Sequence, residues 1–277
     1  MEGNAAPRRT WNLDRMIETD YGMEINATRH CTNSCTNCNH GSTKFTPKWF
    51  MDPAVLKDDL DVMKLHIKTK LLFCQGGEPL LHPKIVELMG LCYDSGIAKQ
   101  CGVLSNGKLL KRMGDDFWEM LATRKMELRL SVYPDLDPSI VPFVQEKAQQ
   151  WGFFVRPQEI NAFKPVFKSE PTGQSFFGCP WRFCLTVHCG FFYRCPLTAF
   201  WPEYMRRAER WKDLPDTVDA IPISGMTDEK LDAFLKRDTP FESCKICSGA
   251  VGTSVPVTQI SSKEQWEKEA GIEQALI

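Results

Sequence analysis

The sequence predicts an α/β protein organised on a parallel sheet with crossover helices. Three observations predict it. Short strand-like runs alternate with stretches of helical periodicity from about residue 21 to about residue 156. A cysteine-rich loop, Cys31-Thr32-Asn33-Ser34-Cys35-Thr36-Asn37-Cys38, follows the first run directly, and a glycine-rich turn, Gln75-Gly76-Gly77-Glu78-Pro79, follows the second. Both therefore lie beyond the C-terminal ends of strands, where an α/β barrel places its active site.

In chain order, residues 1 to about 20 read as an arm or short capping helix, and Tyr21 to Ala27 as the first strand. Asp52-Pro53 is a helix start, an N-cap followed by proline in the first turn. Leu56, Leu60, Met63 and Ile67 then recur at helical spacing. Leu71 to Gln75 is a short strand that ends at the glycine turn, and His82-Pro83 opens a helix with Ile85, Leu88, Met89 and Cys92 on one face. Cys101 to Leu104 is the third strand, followed by Ser105-Asn106-Gly107 and a helix around Asp115 to Ala122. Glu127 to Val132 reads as the fourth strand, Pro138 to Gln150 as a helix and Gly152 to Arg156 as the fifth strand. A sixth strand is expected between Ala162 and Lys168 or later, where the periodicity is lost.

At 277 residues the chain is long enough for one large domain and a small one. Its formal net charge of -1 offers no basic surplus for nucleic acid, and 43% hydrophobic with 25% charged residues is ordinary for a soluble protein. The first twenty residues lack the apolar core of a signal peptide, and no later stretch could span a membrane. A cytoplasmic location is the expectation, and twelve cysteines there point to metal or catalysis before disulfides.

Cys31, Cys35 and Cys38 form a C-x3-C-x2-C loop. Three thiolates on an iron–sulfur cube leave one iron open to an outside molecule; with His40 the same loop also permits a Cys3His zinc site. Together with the Gly-Gly-Glu-Pro turn, the loop resembles the radical S-adenosylmethionine (SAM) superfamily. The resemblance implies an incomplete (β/α)6 barrel and a [4Fe–4S] cluster on Cys31, Cys35 and Cys38 whose open iron binds the amino and carboxylate groups of SAM. It also implies SAM contacts at Gly76, Gly77 and Glu78 around the methionyl amine, and at Ser105 and Ser131 toward the ribose or carboxylate. Arg156, placed at the end of the fifth strand, is expected to pair with the SAM carboxylate or act on substrate. Asn37 departs from the aromatic residue usual before the third cysteine of the family. Tyr133 and His188 are candidate proton carriers.

Beyond residue 170 aromatic residues crowd together with more cysteines. Cys179, ten residues, Gly190, four residues, Cys195, then the late pair Cys244-Lys245-Ile246-Cys247, resembles the SPASM and twitch extensions of radical SAM enzymes, in the shorter twitch form. The resemblance implies one auxiliary [4Fe–4S] cluster on Cys179, Cys195, Cys244 and Cys247; a four-cysteine zinc site has the same spacing. Gly190 to Tyr193 suits a hairpin that returns Cys195 toward Cys179. Cys184 and Cys189 are surplus: either could replace Cys179, donate a hydrogen atom to a substrate radical, or be a buried small hydrophobe, as expected for Cys74, Cys92 and Cys101. The division expected is an arm over 1–20, a partial barrel over 21–175, an auxiliary-cluster domain over 176–250 and a tail over 251–277.

Size and cysteine spacing are similar to the 2-deoxy-scyllo-inosamine dehydrogenase family of aminocyclitol oxidases. The implied activity is cleavage of SAM to a 5′-deoxyadenosyl radical that takes hydrogen from a small-molecule substrate. The implied partners are that substrate and an external one-electron donor such as flavodoxin or ferredoxin. An epimerase with a cysteine hydrogen donor, a peptide-modifying enzyme and a zinc-binding module are the alternatives; the short stretch before the first strand leaves no room for a leader-peptide domain, which favours the small molecule.

Overall fold

The computed structural model describes residues 17–46, 48–164, 175–200, 215, 217–247 and 253–267. Its centre is an eight-stranded sheet. The strands and helices of the first part are β1 (Ile17–Thr28), α1 (Pro53–Met63), β2 (Ile67–Gly76), α2 (Ile85–Asp94), β3 (Ala98–Ser105), α3 (Asp115–Thr123), β4 (Glu127–Val132), α4 (Ile140–Trp151) and β5 (Phe154–Glu159). Their ends follow local chemistry. Asp52 caps α1 by accepting from Ala54 N at 2.9 Å, with Pro53 in the first turn, and Gly152 ends α4 at a φ of 80°.

All five strands are parallel neighbours in the order β5-β4-β3-β2-β1. Each crossover thus steps the chain one strand in the same direction, which with the usual right hand puts α1 to α4 on one face of the sheet. The core agrees: Met23, Ile25, Leu72, Cys74, Val103, Leu128 and Leu130 from the strands pack with Leu56, Leu88, Phe117 and Val144 from the helices. The alternate strand residues, among them Glu24, Asn26, Glu127, Arg129 and Ser131, fall on the opposite face by the two-residue period of a strand. This is an open, largely parallel α/β sheet of partial-barrel type.

Several elements differ from the sequence expectations; Ile67, read at helical spacing with Leu56, Leu60 and Met63, opens β2, which starts before the expected Leu71. β1 starts at Ile17, inside the expected arm, and residues 1–16 lie outside the described residues. The pair β6 (Ala162–Phe163), where a sixth strand was expected, leaves the main sheet and pairs antiparallel with β10 (Val255–Pro256). The sixth parallel strand is β7 (Cys184–His188), and it joins the far side of β1. Residues 165–174, which also fall in the expected interval, lie outside the described residues. The second half of the chain extends the same sheet through β8 (Phe191–Tyr193) and β9 (Ala220–Pro222).

A two-residue turn, Cys189-Gly190, connects β7 to β8, both residues in the left-handed region at φ 50° and 79°. That is the backbone a two-residue hairpin demands. After the hairpin, Arg194 is buried and donates from Nη1 to the carbonyls of Phe234 (3.0 Å) and Arg237 (2.7 Å). Those carbonyls end α6 (Asp228–Lys236), which follows α5 (Ser175–Gly178) and has no intrahelical donors to spare there. The guanidinium also lies over the Phe241 ring, 5.7 Å from its centroid, so one side chain ties the hairpin to the approach of Cys244. We expect Arg194→Met to lower stability by about 3 kcal/mol, the range for losing charge-assisted hydrogen bonds in a buried setting. Urea denaturation checks this; an unchanged midpoint would show that the helix end is satisfied otherwise.

Candidate functional site

The loop after β1 carries Cys31, Cys35 and Cys38, the first two buried. Donors converge on the sulfurs: Asn33 N on Cys31 Sγ at 3.3 Å, Asn106 Nδ2 on the same atom at 3.6 Å, and Gln259 Nε2 on Cys35 Sγ at 3.3 Å. Backbone N–H groups of Ser42, His40 and Gly41 face Cys38. Burial pushes the Cys31 thiol well up, reinforced by the nearby Glu78 carboxylate, and pushes Cys35 up to about 12, reinforced by Cys38. Buried thiols that repel one another as thiolates, yet are surrounded by donors, fit a metal centre, since coordination takes the place of the proton. A [4Fe–4S] cluster fits this donor set.

Directly behind the loop lies the glycine turn. Gly77 N donates to Thr28 O at 2.7 Å and Glu78 N to His30 O at 2.9 Å, so the turn is fastened to the start of the cysteine loop. A Cβ on Gly77 would meet His30 O at 2.2 Å, and one on Gly76 would meet Thr28 O at 2.5 Å with φ at 126°. Glycine is required here by the protein's own backbone. The Glu78 side chain is fully buried. Its carboxylate accepts from Ser105 Oγ (2.8 Å), Asn106 N (2.8 Å) and Leu80 N (3.1 Å). Burial lifts it to about 7 while those three donors pull it back. Glu78 and Ser105, both expected as SAM contacts, are hydrogen-bonded to each other, and the side chain of Glu78 ties its turn to the turn after β3. Asn106 continues the tie, through Nδ2, to Thr32 Oγ1 at 2.9 Å as well as to Cys31. Ser131 is buried on the face of β4 opposite α1 to α4.

Arg156 lies mid-strand, since β5 runs on to Glu159, and its expected position at the strand end is corrected. Its side chain is largely exposed and its Nε bonds Glu127 Oε1 at 2.9 Å, beside Arg129 Nε at 3.0 Å on the same oxygen. His40, the fourth ligand of the zinc alternative, points elsewhere: Nδ1 meets Asn39 Oδ1 at 3.0 Å and Nε2 meets Glu24 Oε1 at 3.1 Å. Among the described residues no three His, Cys, Asp or Glu side chains converge closely enough for a single metal ion. Glu24 also accepts from Thr186 Oγ1 at 2.9 Å, and Asn26 Nδ2 lies 3.1 Å from His188 Nδ1. Burial, then the Arg29 charge, lowers His188 to about 3, which keeps its ring neutral. Tyr133 is pushed well up by burial and the thiol loop, so it stays a phenol. This polar set on the face opposite α1 to α4 was not evident in the sequence apart from its histidines and Tyr133.

The second cysteine set is brought together. Cys179, Cys195, Cys244 and Cys247 line one cavity of about 430 Å³ of free space, its mouth included, with Phe176, Trp181 and Phe241 as apolar walls. Arg182, whose guanidinium stacks 4.6 Å from the Phe183 ring centroid, is on the same lining. The carboxylate of Asp219 fixes the turn before Cys244 by accepting from Glu242 N and Ser243 N, each at 2.8 Å. Burial raises Cys195 strongly, with Cys179 and Cys247 adding to it, and raises Cys244 to about 11. Four thiols around an apolar cavity beside a guanidinium fit a second cubic cluster. Cys184 is off this lining, at the start of β7, raised to about 12 by burial and then by Glu24. Cys189 is exposed in the hairpin turn, whereas Cys74, Cys92 and Cys101 are core residues as expected.

The family model of the radical SAM superfamily matches residues 25–131. Those residues are a radical SAM domain. They span β1 to β4 and hold the cysteine loop and the glycine turn. Among curated proteins the chain has no match. The solved structure of BtrN in complex with AdoMet and 2-DOIA is 13% identical, with a TM-score of 0.52 over 84% of this chain and 95% of BtrN, a likeness of fold. anSMEcpe with bound AdoMet and a peptide is 18% identical over 51% of this chain and 43% of its own, with a TM-score of 0.40. SuiB of Streptococcus suis bound to S-adenosylmethionine is 17% identical over 51% and 34%, with a TM-score of 0.41. The chain thus spans less than half the length of anSMEcpe and of SuiB. No helix among the described residues is long and apolar enough to cross a membrane.

Removing the Glu78 carboxylate leaves three donors unmet. Glu78→Ala should lower stability by about 3 kcal/mol or more, at about 1–3 kcal/mol for each buried donor stranded. Glu78→Gln should cost less, because its carbonyl oxygen still accepts from two of them. Thermal melts of both variants check the order, and a Glu78→Ala protein as stable as the parent would show that the tie is absent.

Proposed function

We propose that the chain is a radical SAM oxidoreductase that acts on a small hydroxylated or aminated molecule of aminocyclitol, sugar or nucleoside type. The cavity lined by Cys179, Cys195, Cys244 and Cys247 carries this proposal. Cys31, Cys35 and Cys38 would hold the first [4Fe–4S] cluster, which with bound SAM would supply the one-electron cleavage to methionine and a 5′-deoxyadenosyl radical able to take a hydrogen atom from a substrate carbon. An oxidation of C–OH to C=O then requires a proton acceptor and a one-electron acceptor.

The chain's own residues suit both needs. Glu24, hydrogen-bonded to His40 and Thr186, is a carboxylate on the face opposite α1 to α4 that can hold the hydroxyl proton. The second cysteine set, on the extension next to β1, supports an auxiliary cluster as the electron acceptor. The apolar walls keep water from it, and Arg182 compensates its negative charge. Buried polar groups on the open face, Glu24, Asn26 and Thr186, suit hydroxyl and amine groups of a substrate better than an apolar chain. BtrN, similar in fold, has been solved with 2-DOIA, which makes 2-deoxy-scyllo-inosamine the first substrate to try. An external donor such as flavodoxin or ferredoxin reduces the first cluster.

The test replaces Cys244 and Cys247 together by alanine. About four irons should leave, one cube's worth, while reductive cleavage of SAM continues and substrate oxidation stops. Iron assay, 5′-deoxyadenosine release and ketone formation read the three results. Continued oxidation after loss of those irons would remove the acceptor role, and Cys184→Ala separates the epimerase alternative by its loss of solvent-hydrogen incorporation.

A further inference from the structure

Two sulfurs of the first cysteine loop each receive a hydrogen bond from a carboxamide distant in sequence. Gln259 lies on a segment that crosses the loop as a strap. Thr36 N donates to Thr258 O at 3.0 Å, Ile260 N to Ser34 O at 2.7 Å, and Val257 N to Asn161 O at 2.9 Å, just after β10 pairs with β6. The Gln259 side chain is held in one orientation by chemistry. Ser34 N–H, 2.8 Å away, can be met only by Oε1, which turns Nε2 toward Cys35 Sγ at 3.3 Å. Asn106 is fixed the same way. Lys108 N donates to its Oδ1 at 3.2 Å, which leaves Nδ2 for Cys31 Sγ at 3.6 Å.

We propose that Gln259 and Asn106 are positioning residues that set the reduction potential of the first cluster, Gln259 from the strap and Asn106 from the turn after β3. The inference rests on Cys31, Cys35 and Cys38 holding a [4Fe–4S] cluster. A donor on a cysteine sulfur withdraws charge from the iron it ligates. The reduced cluster carries one more negative charge than the oxidised one, so it gains more from that donor, and the potential rises. Because SAM cleavage needs a strongly reducing cluster that a protein donor must still be able to reduce, the two carboxamides ease its reduction. Cys35 is also only 6% exposed beneath the strap, which limits water at the same sulfur.

The experiment uses the full chain, reconstituted anaerobically, with two variants at one position. Gln259→Glu keeps an acceptor for Ser34 N–H and loses the donor to Cys35; Gln259→Met loses both with similar bulk. The midpoint is read from the reduced-cluster EPR signal that added SAM perturbs, which separates the first cluster from a second. Iron content should stay at the parent value. At a fixed potential near the midpoint the reduced-to-oxidised ratio should fall about tenfold or more in Gln259→Glu, about 59 mV for a one-electron couple. Gln259→Met should shift in the same sense by less, and Asn106→Asp in the same sense as Gln259→Glu. An unchanged midpoint in both Gln259 variants overturns the proposal. So does loss of the first cluster in both with far-UV circular dichroism retained, which would make Gln259 a clamp for the loop and nothing more. A parent protein with no SAM-sensitive signal would overturn the cluster reading itself and this inference with it.

Discussion

The buried carboxylate of Glu78 is the interaction on which the rest of the site depends. It joins three strand-end turns that are far apart in sequence. Its own backbone N–H reaches the start of the cysteine loop at His30 O, its oxygens take Ser105 Oγ and Asn106 N from the turn after β3, and Asn106 passes the connection on to Cys31. A charged group with no exposure is costly unless every lone pair is used, and here burial is offset by two backbone donors and a hydroxyl. The adjacent glycines serve the same junction, since a side chain on either would collide with the carbonyls of Thr28 or His30. The cysteine loop is thereby tied to the turns after β2 and β3.

The sequential strand order has a second consequence. With α1 to α4 packed on one face, the opposite face of the sheet carries polar residues, and β1 contributes Glu24 and Asn26 to it. The hairpin of β7 and β8 adds Thr186 and His188 to that face from the opposite side of β1. The same hairpin leads into Arg194 and Cys195, and Arg194 and Asp219 then bring the segment of Cys244 and Cys247 across to line the cavity with Cys179. One sheet thus organises both cysteine sets.

Much of this was legible in the sequence because it is local. The β4 strand was read at its observed bounds, and the start of α1 from the Asp52-Pro53 cap alone. The first cysteine group was legible from spacing, since spacing on a short loop constrains which sulfurs can meet, whereas the grouping of Cys179 and Cys195 with Cys244 and Cys247 came from a resemblance. What was not legible depends on pairing between distant segments. Nothing near Cys184 says that its strand lies beside Gly22, the register that placed the sixth parallel strand on the β1 side. Arg156 was read at a strand end, and its pairing with Glu127 on the neighbouring strand is not visible in the sequence. Ser105 and Glu78 were read separately, since a sequence does not show that they face each other. Gln259 and Asn106 are single amides without a pattern around them, and only the folded chain places them on sulfurs.

The central claim is that the chain holds two separate iron–sulfur centres, and the most direct measurement is the metal content and spectrum of the unmodified protein prepared without oxygen. The account predicts about eight irons and as much sulfide per chain, as two cubes require. After reduction, SAM should alter the EPR signal of one cluster and leave the other unchanged. About four irons, or zinc in place of iron at either cysteine set, would contradict it.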